Sequence, residues 1–289
     1  MMQEEQHLHF HGDDVEPSPS DKAGFHVIPV PLERSVSYGG GTAEGPAAIL
    51  AASAQLELYD GVSVPADAGI YTAPPVDCSG AVDEVLQRVG RMTGAARSAG
   101  AIPIVLGGEH TVTVGAVRGV REAGETFGVV QFDAHADLRE TYEGDPLSHA
   151  CAARRLVDDG LPLFQLGVRA LSPGEVTFRQ ERDIPYCDAR ELVTEGFTRP
   201  LLPDAFPERV YVTFDVDAFD PSLMPATGTP EPGGLDWYLA LDLLETVIGE
   251  RQVVGFDVVE LAPIPHLHHC AFTAARLVYN VMGFLDRGA

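Results

Sequence analysis

Histidine and aspartate recur at alternate positions in two short stretches, Asp133-Ala-His135-Ala-Asp137 and Asp215-Val-Asp217. In extended backbone, residues two apart point to the same side. Each stretch can therefore aim its groups at one point. A third stretch, Ile104 to His110, closes with Gly107-Gly-Glu-His110, and a fourth, Gly255 to Glu260, adds Asp257 and Glu260. Carboxylates crowded into a cleft repel one another, and burying an unpaired charge costs several kcal/mol. Two divalent cations are the simplest relief. The candidate ligands are His110, Asp133, His135, Asp137, Asp215 and Asp217. This oxygen-rich set suits a hard ion such as Mn²⁺, whereas a thiolate-rich set would suit zinc. Six protein ligands are too few for two separate octahedra, so shared carboxylates and a shared water are expected. Two ions about 3.5–4 Å apart lower the pKa of that water until it holds a hydroxide at neutral pH. A lone Asp-x-Asp or His-x-Asp is a weak signal. Four such stretches at strand ends of one domain carry the reading.

The elements that position these residues alternate along the chain. Apolar, β-rich runs lie at Phe25–Val30, Ile102–Leu106, Gly128–Phe132, Leu163–Val168, Val210–Phe214 and Val253–Phe256. Helical patterns fall at Pro46–Leu56, Val82–Arg97, Val112–Ala123, His149–Asp158, Trp237–Ile248 and Phe272–Phe284. Strands separated by helices predict βαβ units and a parallel sheet. Nearly continuous apolar strands predict helices on both faces. The expected fold is α/β, a three-layer sandwich with a mainly parallel sheet. One domain is expected over residues 25–289, after a flexible head at 1–24 that holds His7, His9 and His11. In open α/β sheets ligands bind beyond the carboxyl ends of the strands, which is where the four stretches sit.

The charge is -24, with a single lysine, Lys22. That acidity argues against nucleic acid or an anionic membrane as partner, and it would favour the approach of a small cation. No apolar stretch is long enough to span a bilayer. The polar start of the chain does not read as a secretory signal, and a cytoplasmic enzyme is expected. Cys78, Cys151, Cys187 and Cys270 form no CxxC pair, so neither a disulfide framework nor a structural zinc site is expected.

At Gly107-Gly-Glu-His110, Asp133-Ala-His-Ala-Asp137, Ser148-His149, Asp215-Val-Asp-Ala-Phe-Asp-Pro221, Pro225 to Gly234 and Gly255-Phe-Asp-Val-Val-Glu260, the sequence resembles the arginase–agmatinase (ureohydrolase) family. An early Gly41 to Ile49 run looks like the family's start, and Glu109 stands where the family often has Asp. The resemblance implies two Mn²⁺ ions per subunit, with Asp133 and Asp215 among the shared ligands. It implies attack of a metal-bridging hydroxide on a guanidinium carbon, giving urea and an amine. Asp137 would pass a proton to the leaving amine, His149 would shuttle protons to solvent, Glu260 would grip the guanidinium and Thr229 would line the site. A homo-oligomer, trimer or hexamer, is also implied.

The loop from Asp137 to Arg155, with Thr229 to Gly234 and Val258 to Pro265, looks more like agmatinases than arginases. This implies agmatine as substrate, hydrolysed to putrescine and urea within polyamine biosynthesis. Glu140, Glu143 and Asp145 are candidates to meet its tail amine. Arg139 could instead pair with a carboxylate, which keeps guanidinobutyrate and guanidinopropionate open beside arginine. His266, His268 and His269 could line the entrance. A single-zinc amide hydrolase of the histone-deacetylase kind shares the expected fold, but the two complete paired motifs favour two ions. A non-catalytic metal protein would have lost ligands, and none is missing.

Overall fold

The computed structural model describes residues 8–288. Its centre is an 8-stranded sheet in the order β2-β1-β3-β8-β7-β4-β5-β6, parallel throughout. The strands are β1 (Phe25–Val30), β2 (Ile70–Thr72), β3 (Ile102–Gly107), β4 (Gly128–Phe132), β5 (Leu163–Leu166), β6 (Tyr186–Cys187), β7 (Arg209–Asp215) and β8 (Gln252–Val259). The helices are α1 (Gly45–Ser53), α2 (Val82–Ser98), α3 (Val112–Glu122), α4 (Ala152–Asp158), α5 (Pro173–Glu181), α6 (Ala189–Glu195), α7 (Trp237–Glu250) and α8 (His268–Arg287).

Alternate side chains of the strands feed two separate cores. Val27, Ile104, Leu106, Phe132 and Phe214 join the apolar faces of α1, α7 and α8. Ile28, Val30, Val105, Val129 and Tyr211 meet α2, α3 and α4. This is the three-layer α/β arrangement expected from the apolar strand runs. The strands missed by periodicity, β2 and β6, are three and two residues long and lie at the two edges of the sheet. Helices α5 and α6, also unforeseen, are short and flank β6 in the chain. No helix among the described residues is long and apolar enough to cross a membrane. All four cysteines are free thiols.

Residues 8–24 are held to the body of the protein rather than forming the flexible head expected of residues 1–24; His7 lies outside the described residues. Phe10 is 2% exposed and belongs to the core with Ile49 and Tyr279. Its N–H donates to Thr72 Oγ1 at 3.0 Å, and that of His11 donates to Ser53 Oγ at 2.9 Å. Further on, the N–H groups of Ser18 and Gly24 donate to Ile70 and Ala68 carbonyls. One apolar anchor with satisfied main-chain groups around it is sufficient reason for the segment to dock.

The strand order decides where chemistry can gather. Strands β3, β8, β7 and β4 are adjacent in the middle of the sheet although far apart in the chain. Phe132 of β4 pairs with Phe214 of β7, and Phe214 pairs with Val258 of β8, which pairs with Leu106 of β3. The residues just beyond this row are therefore Gly107 to His110, Asp133, Asp215 and Glu260.

Candidate active site

A cleft of about 520 Å³ opens at this carboxyl end, with Asp137, His135, Asp215, Asp217 and Glu260 in its wall. Its floor is acidic and buried. Asp133, Asp215 and Asp217 are at most 3% exposed, and Asp137 is 6% exposed. Burial pushes the carboxyl groups of Asp133 and Asp215 up, and their mutual repulsion with Asp217 adds to it. Two sets of donor atoms converge within a sphere that one ion could fill: His110, Asp133 and Asp137 form one, and Asp133, His135 and Asp217 form the other. Asp133 belongs to both. Asp215 stands between them, its Oδ2 3.5 Å from His110 Nδ1.

His110 tests whether the site suits a metal. Its ring is buried, and Nε2 lies 2.9 Å from Thr213 Oγ1. Thr213 donates its one hydroxyl proton to Asp257 Oδ1 at 2.6 Å, and Tyr211 donates to the other oxygen of that carboxylate at 2.9 Å. Thr213 must then accept from Nε2–H, which leaves Nδ1 as the ring atom able to offer a lone pair to a cation. Nδ1 lies 3.1 Å from Asp133 Oδ2 and 3.2 Å from Asp137 Oδ2. Neither contact has hydrogen-bond geometry, and the atom is buried without a hydrogen-bond partner. A lone pair aimed into a ring of carboxylates fits a cation and little else.

The second histidine is held more openly. His135 Nδ1 is 2.8 Å from Asp217 Oδ2 and 3.7 Å from Asp133 Oδ1, and its side chain is 27% exposed. Thr229 Oγ1 lies 3.4 Å from its Nε2. Main-chain groups orient the acids here: His135 N donates to Asp133 Oδ1 (2.6 Å), Asp217 N to Asp215 Oδ1 (2.8 Å) and Ala134 N to Asp217 Oδ1 (2.9 Å). Gln131 Nε2 donates to the remaining oxygen of Asp133 at 2.7 Å, and is itself held by Gln165.

Two acids of the cleft sit on left-handed backbone, Asp137 at φ 51° and Glu260 at φ 65°. Non-glycine residues there carry about 1–3 kcal/mol of strain each, a cost that persists at functional sites. Glu260 Oε1 accepts from His110 N at 2.6 Å, and burial pushes this carboxyl up to about 8. Gly108 explains the glycine pair before it: a Cβ there would stand 2.1 Å from the Leu32 carbonyl oxygen.

The rim residues divide. Arg139 lines the cleft, but its Nε lies 3.8 Å from Glu175 Oε2 and its guanidinium lies over the Tyr142 ring. His149 opens a single helical turn and meets two serines, Ser35 Oγ at 3.1 Å from Nδ1 and Ser37 Oγ at 2.7 Å from Nε2. The carboxylate of Glu109 holds that serine strap in place by accepting from Arg34 N and Ser35 N. Glu140, Glu143 and Asp145 are exposed and outside the cleft wall, and so are His266, His268 and His269. Thr213, Tyr211, Gln131, Glu175, Ser35 and Ser37 were not anticipated. The first three carried a signal: a polar or hydroxyl side chain inside an otherwise apolar buried strand, two or four residues before an aspartate. Glu175 carried a local one, the Ser172-Pro-Gly-Glu175 capping box at the start of α5, while Ser35 and Ser37 act across long sequence separations and carried none.

Comparison with known proteins agrees with this geometry. A sequence profile described as the arginase family matches residues 23–283. The chain is 38% identical over 272 residues to N(1)-aminopropylagmatine ureohydrolase of Synechocystis sp., covering 91% of this chain and 89% of that one. It is 35% identical over 272 residues to agmatinase of Pyrococcus horikoshii, covering 92% and 93%. It is similar in structure to agmatine ureohydrolase of Thermoplasma volcanium, with a TM-score of 0.84, 31% identity and coverage of 93% and 92%. The chain is thus a hydrolase of the agmatinase-like ureohydrolase kind and belongs to the arginase family.

Proposed function

We propose that this enzyme hydrolyses the guanidino group of a cationic polyamine guanidine, with agmatine giving putrescine and urea, and that it does so with two Mn²⁺ ions. His110, Asp133, Asp137 and Asp215 would hold one ion, and Asp133, His135, Asp215 and Asp217 the other. When bound, the two ions supply an activated water and offset the acidic floor. The observation that carries this reading is the unpartnered Nδ1 of His110 among three carboxylates, locked in that tautomer from behind.

The chain's own groups account for the rest. Glu260 keeps one oxygen on the His110 N–H and turns the other toward the cleft, where it accepts from the planar guanidinium. The cationic substrate restores the charge balance that burial of Glu260 disturbs. Asp137 is placed at the His110 side of the cluster, where it would take up the proton released by the attacking water and pass it to the leaving amine. His149 exchanges protons with solvent through its contacts with Ser35 and Ser37. Arg139 is shared with Glu175 and Tyr142, which weakens its pull on a substrate carboxylate. Thr229 borders the His135 side, and Glu231 on the same wall offers an acid to an amine tail. A cytoplasmic site of action and a homo-oligomeric assembly belong to the same proposal.

A second substrate is favoured by a specific finding. Relatives of 38–39% identity from Synechocystis sp. and Thermus thermophilus are N(1)-aminopropylagmatine ureohydrolases. The cleft volume lies well within the range of small-molecule sites and leaves room for a longer amine chain. The test is urea release from Mn²⁺-loaded enzyme on agmatine, N(1)-aminopropylagmatine, arginine, guanidinobutyrate and guanidinopropionate in parallel. We expect kcat/KM to be highest on one of the two polyamine guanidines. Preference for an acid would overturn the cationic-tail reading and return Arg139 to the role of carboxylate partner.

A further inference from the structure

Arg169 lies just beyond β5, half-buried in the cleft wall. Arginine usually offers its planar fork to a carboxylate. Here the hydrogen bonds of the guanidinium go to main-chain carbonyls. Nη2 donates to Asp217 O at 2.7 Å, Glu231 O at 2.8 Å and Phe219 O at 3.1 Å. Nη1 donates to Gly167 O at 3.1 Å and Ala218 O at 3.4 Å, and Nε to Glu231 O at 3.2 Å. The main-chain N–H of the same residue donates to Ala134 O at 2.8 Å, between Asp133 and His135.

One residue therefore ties together four pieces of chain: the end of β4, the end of β5, the turn Asp217–Phe219 after β7, and the loop through Glu231. The loop is closed tightly on it, since a Cβ at Gly234 would stand 2.6 Å from Nη2. The groups so held are those of the Asp133–His135–Asp217 set and the Thr229–Glu231 rim. The only member of the His110–Asp133–Asp137 set near this staple is the shared Asp133.

We propose that Arg169 is a positioning residue: its guanidinium fork sets the separation between the strand ends that carry Asp133, His135 and Asp217, and so governs the second ion site but not the first. The inference rests on the two-ion reading above. It attributes the effect to the shape of the fork, because six bonds to carbonyls need several donors spread over a plane, which a lysine ammonium cannot supply.

The test is Mn²⁺ titration of the metal-depleted full chain, read by equilibrium binding and by the electron paramagnetic resonance signature of coupled against isolated Mn²⁺. The variants are Arg169→Gln and Arg169→Lys, with circular dichroism as the check on folding. In both, we expect the first ion to bind much as in the unaltered chain and the second to bind about tenfold or more weakly, so that the coupled signal gives way to the isolated one. Restoration of second-ion binding by Arg169→Lys would overturn the inference, because charge alone would then suffice. Equal weakening of both ions would overturn it too, since Arg169 would be a general structural support. If Arg169→Gln does not fold, Arg169→Lys alone decides. Uptake of a single ion by the unaltered chain is a distinct result: it would remove the two-ion reading itself, and this inference with it.

Discussion

His11 and His110 are buried to nearly the same degree, 1% and 2% exposed, and both carry ring nitrogens without a hydrogen-bond partner. Their chemistry is opposite. His11 sits edge-on to Tyr279 and Phe10, with ring centroids at 4.3 Å and 5.0 Å. Burial, helped by the positive charge of Arg276, pushes its pKa down to about 4. At His110 burial pulls the same way, but Asp133, Asp137 and Asp215 overcome it and hold the imidazole well above its ordinary value. Burial alone makes histidine an apolar filler; carboxylates arranged around it make a site that calls for a cation. His135 is intermediate: burial is opposed by Asp217, Asp133 and Asp137, which raise it to about 11 in the ion-free chain.

The severest way to break this contrast is to remove the shared acid. Asp133→Ala should lose both Mn²⁺ ions and reduce urea release to near background while the fold persists, as metal analysis and circular dichroism would report. Retained activity would end the assignment of the cluster. Next comes Glu260→Ala, which should leave two ions bound and raise KM for the guanidine by roughly 10–100-fold, the worth of a charge-assisted hydrogen bond. An unchanged KM would remove its role as clamp. Thr213→Val deletes the acceptor that fixes the His110 tautomer. Metal affinity should fall by about 10–100-fold with little change in KM, and affinity equal to the unaltered chain would show that the tautomer needs no fixing.

The smallest effect sharpens the comparison from the other side. The folded-state pKa of His11 lies below its ordinary 6.5. Between pH 6.5 and about 4 the unfolded chain therefore takes up a proton that the folded chain refuses. Its contribution is most favourable above pH 6.5 and is lost as pH falls toward 4. His11→Phe should keep the ring packing and flatten the fall in thermal midpoint over that range by a few degrees at most. An unaltered slope would mean that other groups dominate acid unfolding.

Much of the cleft was legible in the chain itself. Alternation at 133, 135 and 137 and at 215 and 217 marks groups that share a direction, and that is a local property of extended backbone. The continuous apolar runs of β1, β3, β4, β7 and β8 likewise carry their own burial. The edge strands β2 and β6 were silent because two or three residues hold no period. Phe10 and His11 were read as part of a flexible head because nothing nearby in sequence marks the pocket formed by α1, β2 and α8. Arg139 showed its charge in the sequence, but its partners Glu175 and Tyr142 only in space.

The sequence by itself determined which residues could be ligands, on which strand ends they stand and which way they face, because strand geometry is set by neighbours in the chain. Only the tertiary structure decided that β3, β8, β7 and β4 lie side by side and that His110 presents Nδ1 rather than Nε2; the sharing of Asp133 between two donor sets was implied by the family resemblance alone and by no local pattern. Those outcomes depend on contacts between residues about 100 positions apart, as in His110 to Thr213, and no local pattern encodes a contact of that reach.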